Sequence, residues 1–267
     1  MSWLQAIVLA MVQGLTEFLP ISSSAHLVLL PLFTPWDDQG LAFDVALHVG
    51  SLVAVVLYFR HELVAMTSAW FGSLRGRGLS ADARLAWAIG LGTIPVGLAG
   101  LIFREPVEVL LRAPLVLAGA LIGFGLLLGW ADWRHRGRKS EYQIGWREVL
   151  VIALAQALAL IPGTSRSGVT ITAGLMVGMS REAASRFSFL LSIPVIFLAG
   201  LLETVELLGA DVAVDWLKIG VATVVSGVSA YLCIHYFLAF IRRIGMQPFV
   251  VYRIALGLVL LAVYWRP

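Results

Sequence analysis

Two apolar stretches of this chain stop at a proline before they are long enough to cross a bilayer. Trp3–Phe18 runs into Pro20, and Val149–Ile161 runs into Pro162. Each is followed by a short hydroxyl-rich break and a second apolar run, Leu27–Phe33 or Val169–Met179. A spanning helix needs roughly 20 mostly apolar residues, and neither half supplies them. A helix that enters, breaks and returns on the same side fits the pattern. Non-helical backbone at membrane depth is tolerated only where it is packed in protein or lines a cavity. Each break is therefore expected inside the protein.

Six other segments are long enough to cross: Leu41–Phe59, Leu85–Phe103, Pro114–Ala131, Phe187–Leu202 with its flanks, Ile219–Phe240 and Met246–Trp265. The expected fold is an all-α integral membrane bundle of about six crossings plus two re-entrant helix hairpins. Composition agrees: 60% of residues are hydrophobic and 13% charged, about half the charge of an ordinary soluble domain. The net charge of +3 does not point to nucleic acid, because no basic patch is interleaved with exposed aromatics. Basic residues of a membrane protein collect in cytoplasmic loops. The single cysteine, Cys233, has no partner for an internal disulfide and lies in an apolar run. The N-terminal MSWLQAIVLA lacks a basic n-region, so a cleaved signal peptide is not expected.

The loops sort by charge. Arg60, Arg75, Arg77 and Arg84 mark one basic connection, and Arg134, Arg136, Arg138, Lys139 and Arg147 a second. Arg181, Arg186, Arg242 and Arg243 mark two more basic ends. The other connections carry acids: Asp37 and Asp38, Glu105 and Glu108, then Glu203, Glu206, Asp211 and Asp215. With basic loops inside, six crossings alternate, the first hairpin dips in from outside and the second from inside. Arg253 falls within the last crossing, where it must pair inside the bundle or snorkel; pairing is expected. Gly92, Gly97 and Gly100, and Gly119, Gly123 and Gly125, are read as close-packing surfaces.

The halves repeat weakly. AMVQGLTEFLPISSSAH and ALAQALALIPGTSRSG share a glutamine, an apolar run, a proline and a hydroxyl-rich turn, and Phe43 lines up with Phe187 further on. One membrane domain is expected, with an inverted pseudo-repeat of about 1–112 and 144–267 joined through a helix at 114–134 and a basic loop at 134–147. Such repeats bring broken helix ends together near the midplane.

Chemistry concentrates at the breaks. Gln13 and Glu17 are i, i+4 and share a helix face. Glu17 is the only carboxylate before Asp37, and an ionisable group at that depth is a functional candidate by default. Ser22, Ser23 and Ser24 exceed what one helix cap needs. Ser23 and His26 are i, i+3, a hydroxyl beside an imidazole, which suits nucleophilic or acid–base work. In the second break Gly163, Thr164, Ser165, Arg166, Ser167 and Thr170 combine close backbone approach, hydroxyl donors and a guanidinium fork suited to phosphate. A half-helix N-terminus adds free N–H groups. These parts describe a site for a phosphorylated lipid. Asp44 and His48, i, i+4 in the first full crossing, are supporting candidates for the cavity wall.

At these motifs the sequence closely resembles the undecaprenyl-pyrophosphate phosphatase family, the bacitracin-resistance proteins. The first family signature stands here as Gln13-Gly-Leu-Thr-Glu17-Phe-Leu-Pro-Ile-Ser22-Ser23-Ser24-Ala-His26, the second as Pro162-Gly-Thr-Ser165-Arg166-Ser167-Gly-Val-Thr170. The resemblance implies an inverted-repeat bundle in the bacterial plasma membrane. It implies hydrolysis of undecaprenyl pyrophosphate, with Mg²⁺ or Ca²⁺, at a site open to the outer face. Glu17, Ser23, His26 and Arg166 would be catalytic, and Glu17 would also contact the metal. Ser22, Ser24, Gly163, Thr164, Ser165, Ser167 and Thr170 would bind pyrophosphate with Arg166. The first motif position is Gln13, which cannot supply charge to a metal. The signatures of the other polyprenyl-pyrophosphatase type are absent from the sequence.

A lipid-phosphate flippase would need the same anion site, but a carrier needs no nucleophile and base. An ion channel would need polar stripes along several helices, and here the polar residues cluster at two breaks. The sequence leaves lipid chain length and oligomeric state open, a homodimer among the options.

Overall fold

The computed structural model describes residues 1–34, 36, 40–110, 113–135, 137–209 and 215–264. Arg136, Asp37, Asp38, Asp211 and Trp265 of the sequence reading lie outside them. The described residues contain α-helices and short 3-10 turns, with no β-strand.

The first hairpin is α1 (Trp3–Phe18) and α2 (Ser23–Phe33). Ser2 starts α1 with a reciprocal cap: its hydroxyl accepts from the Gln5 N–H at 3.2 Å, and the Gln5 side chain accepts from the Ser2 N–H at 2.6 Å. Pro20 prevents continuation, since its ring forbids the helical conformation of the residue before it. Next come α3 (Leu41–Tyr58), α4 (Arg60–Leu74), α5 (Ala81–Leu110) and α6 (Pro114–Arg134). The second hairpin is α7 (Trp146–Ala157), extended by a 3-10 turn at Leu158–Leu160, and α8 (Arg166–Met176). The chain ends with α9 (Arg181–Gly209), α10 (Trp216–Ile244) and α11 (Gln247–Tyr264).

Among the described residues five helices are long and apolar enough to cross a membrane, and α3 with α4 qualifies as a sixth, bent by 78°. The chain is a multi-pass membrane protein. The stretch after Phe59, which the sequence reads only as a basic connection, is the helix α4. The bend lies at Phe59, which does not keep helical geometry (φ −95°, ψ 17°).

Central packing depends on close approach to α10. A Cβ at Gly14 of α1 would lie 2.4 Å from the Ser226 carbonyl oxygen, and one at Gly50 of α3 would lie 2.3 Å from that of Thr223. Both lie outside the glycine rows that the sequence suggests as packing surfaces. In those rows Gly92 and Gly125 are tight, but Gly97, Gly119 and Gly123 face open space. Their rows are a mixture of packed and open positions, because apolar helices carry small residues on lipid-facing sides too.

The basic connections gather at one end of the bundle. Arg186 pairs with Glu141 at 2.6 Å and Glu62 at 3.0 Å. Arg84 donates to the Tyr142 carbonyl at 3.0 Å. Arg181 pairs with Asp132 at 2.5 Å, Arg242 with Glu182 and Lys139 with Glu148. Asp132 also accepts from the Met246 N–H at 3.2 Å. That common end is what alternating crossings require.

Candidate active site

The two breaks are built on one plan. Ser22 and Ser165 are the only described non-glycine residues with positive φ, at 72° and 70°. Each immediately precedes its returning half-helix, α2 or α8. The Ser22 hydroxyl lies 3.1 Å from that of Ser24, and the Ser165 hydroxyl 3.2 Å from that of Ser167. Each also accepts an N–H of the first helical turn, from Ala25 at 3.4 Å or Gly168 at 3.1 Å. In this register Gln13 matches Gln156, and Ser23 matches Arg166. Glu17 and His26 match Leu160 and Val169.

The breaks touch at Glu17. Its Oε1 accepts from Arg166 Nη2 at 2.7 Å, and its Oε2 accepts from Ser23 Oγ at 2.8 Å and Gln13 Nε2 at 3.0 Å. Ser23 and Arg166 are the first residues of α2 and α8. The carboxylate therefore sits between two helix N-termini, where negative charge is favoured. The side chains of both ion-pair partners are nearly buried, 12% and 8% exposed. A second link is the Ser167 hydroxyl, which donates to the Leu19 carbonyl at 2.8 Å.

Several hydroxyls expected to meet phosphate are already used inside the protein. Thr170 Oγ1 donates to the Arg166 carbonyl at 2.8 Å and lies 2.7 Å from the Ser188 hydroxyl. Ser22, Ser165, Ser167 and Thr170 are buried, and so are Gly163 and Thr164. The Thr164 hydroxyl is buried without a partner. Ser23, His26 and Arg166 keep partial exposure and Ser24 is exposed.

Ser23 and His26 follow the expected spacing, but their hydrogen bonds go elsewhere. Ser23 points to Glu17. The His26 Nδ1 lies 2.7 Å from the Ser22 carbonyl and its Nε2 2.6 Å from the Tyr252 hydroxyl. His48 lies within electrostatic reach of Glu17, and its Nδ1 bonds the Asp44 carbonyl at 2.8 Å. Asp44 and His48 thus stand one step behind the site.

Three contributors were not read from the sequence as site residues. Ser188 contacts Thr170 and accepts from Arg166 Nη1 at 3.4 Å through its carbonyl. It follows Phe187 as Asp44 follows Phe43, and that alignment was its signal. Arg253 is fully buried and donates to four carbonyls: Pro20 at 3.2 Å, Gly163 at 2.9 Å, Ala120 at 3.3 Å and Leu121 at 3.2 Å. It pairs inside the bundle, with backbone rather than with a carboxylate. Its neighbour Tyr252 had no local signal.

Residues 6–259 match the sequence profile of the family described as Bacitracin resistance protein BacA. The chain belongs to this family. BacA-type relatives match along their whole length. An undecaprenyl-diphosphatase 2 of Stutzerimonas stutzeri is 59% identical, with 99% of both chains covered. An undecaprenyl-diphosphatase of Thioalkalivibrio sulfidiphilus is also 59% identical, over 99% of this chain and 100% of the relative. One of Nitrosococcus oceani is 56% identical, over 97% and 98%. Both breaks, at 19–22 and 161–165, lie within the BacA match.

Proposed function

We propose that this protein hydrolyses undecaprenyl pyrophosphate to undecaprenyl phosphate and inorganic phosphate, recycling the cell-envelope lipid carrier and conferring resistance to bacitracin. The observation that carries the site is Glu17 held between Ser23 and Arg166, the first residues of two half-helices from opposite halves of the chain. A carboxylate bound by a guanidinium and flanked by helix N-termini marks a place where an anionic oxygen is stabilised. The names of the BacA relatives supply the substrate class. The lipid tail lies in the bilayer, and the site opens to the outer face of the plasma membrane. The paired basic loops lie on the cytoplasmic side, and the two similar breaks belong to an inverted repeat.

In this reading the terminal phosphate takes over the guanidinium of Arg166 from Glu17. Ser23 attacks the terminal phosphorus: the Oγ–P bond forms, the bridging P–O bond breaks, and undecaprenyl phosphate leaves. The acceptor nearest to the Ser23 proton is Glu17. Water then cleaves the phosphoserine, with His26 handling protons on the exposed side. The competing route has Ser23 position a water for direct attack.

The donor set suits a hard divalent cation, Mg²⁺ or Ca²⁺. Gln13 is fully buried beside Glu17, and its Oε1 has no partner because its Nε2 is committed to the carboxylate. Glu17, the Gln13 carbonyl oxygen and substrate oxygens would hold the ion, an arrangement with one carboxylate plus phosphates. When bound, it would neutralise charge building on the leaving phosphate.

Flippase activity would leave the Ser23–Glu17 pair without a task. The test is purified protein in detergent micelles, which have no two sides to transport between. Phosphate release from undecaprenyl pyrophosphate is expected, lost with EDTA and restored by Mg²⁺ or Ca²⁺. No release under any of these conditions would refute the assignment.

A further inference from the structure

His26 is the site residue whose surroundings the sequence leaves unexplained, and both of its ring nitrogens are occupied. The partner of Nδ1 is the Ser22 backbone carbonyl at 2.7 Å. A carbonyl only accepts, so Nδ1 carries the proton. In the neutral ring Nε2 is then a bare acceptor, and the Tyr252 hydroxyl, 2.6 Å away, must donate to it. The two rings lie nearly parallel, 6° apart with centroids 5.6 Å from each other. The imidazole is clamped at both ends.

The anchors on either side are themselves fixed. Ser22 has positive φ and belongs to the strained turn of the first break. Tyr252 precedes Arg253, whose guanidinium ties α11 to the Pro20 carbonyl of the first break and the Gly163 carbonyl of the second. Arg253 is fully buried, while Tyr252 is 43% exposed. Arg253 of α11 locks the backbone of both breaks, and Tyr252 before it reaches the edge of the site with its hydroxyl on the basic nitrogen of His26.

We propose that Tyr252 is a positioning residue for His26: its hydroxyl selects the Nδ1–H tautomer, holds the ring, and passes protons between Nε2 and the exposed side of the site. In that relay the phenol gives its proton to Nε2 while its oxygen takes one from a water or a phosphate hydroxyl. The phenol ends neutral and the imidazole ends protonated; the reverse sequence returns the proton. The proposal rests on the reading of His26 as a residue of the reaction. It adds that His26 acts through a second helix.

The test is a double-mutant cycle on the full-length protein in detergent, with phosphate release from undecaprenyl pyrophosphate measured for His26→Ala, Tyr252→Phe and the double variant. Tyr252→Phe keeps the ring and removes only the hydroxyl. It is expected to lower kcat by roughly 10- to 100-fold, a share of the usual contribution of a general acid–base group, with KM within about twofold of wild type. In the His26→Ala background the same change should cost nothing further, because the partner is gone. Nitrogen-15 spectra of histidine-labelled protein give a readout independent of turnover: the His26 Nε2 resonance should shift in Tyr252→Phe. A wild-type kcat for Tyr252→Phe overturns the proposal, as does a loss carried by KM or one that multiplies with that of His26→Ala. If Tyr252→Phe fails while His26→Ala is impaired, the reading of His26 survives without Tyr252. If His26→Ala itself turns over normally, both fall.

Discussion

Arg166 Nη2 meets Glu17 Oε1 at 2.7 Å across 149 residues of sequence. The pair joins two half-helix starts that come from different hairpins. It also explains how each charge is tolerated among apolar helices, since a buried charge persists only when paired and hydrogen-bonded. Glu17 has three donors and Arg166 two acceptors. The site is thus organised around charges that neutralise each other.

Ser23 carries the first prediction. Ser23→Ala should lower phosphate release at least about 100-fold, as removal of a nucleophile does. Rapid quench with substrate labelled in the terminal phosphate should trap a phosphorylated Ser23 in the wild type. Turnover by Ser23→Ala at the wild-type rate would eliminate both the covalent and the water-positioning routes.

Arg253 carries the second. Its four carbonyl partners include both breaks, so Arg253→Met should destabilise the protein by roughly 2–5 kcal/mol. Arg253→Lys has too few donors in the wrong geometry to replace the guanidinium, and should recover only part of the loss. Thermal unfolding in detergent reads both. An unchanged melting temperature for Arg253→Met would show that the carbonyls find other donors.

Gly163 carries the third. Its φ is +89°, and a Cβ would lie 2.8 Å from the Leu117 carbonyl oxygen. Gly163→Ala should cost roughly 2–4 kcal/mol, the backbone penalty plus overpacking. Gly76 has φ +80° with nothing within 4 Å of a Cβ, so Gly76→Ala should cost only about 1–2 kcal/mol. Equal melting temperatures for the two variants would refute the distinction.

Much of this architecture is legible in local sequence. The crossings follow from long apolar runs: the apolar part of α5, all of α6, and α9 to α11 lie where hydropathy puts them. The breaks follow from Pro20 and Pro162 with the serines and glycine beside them. The contacts that turn two breaks into one site are not local. Ser167 reaches Leu19 and Arg253 reaches Pro20, separations of 148 and 233 residues, and no periodicity encodes them. A lone arginine in an apolar span signals that a partner exists; it does not say that the partner is a set of carbonyls. The hydroxyls of the second break read as phosphate donors because their composition fits; composition does not show that Ser165, Ser167 and Thr170 also hydrogen-bond within and between the breaks. The i, i+3 spacing of Ser23 and His26 puts them on one face but cannot reveal that Glu17 and Tyr252 are their hydrogen-bond partners.

The central claim is that Glu17 and Arg166, from separate breaks, form one phosphatase site. It is tested most directly by phosphate release from undecaprenyl pyrophosphate in detergent by Glu17→Gln and Arg166→Ala. Each variant must first elute as a single species and keep a cooperative thermal transition. Each is expected to lose about 100- to 1,000-fold in rate, the range for removal of one stabilising group around a developing charge. A folded variant of either kind that retains a near-wild-type rate would contradict the account.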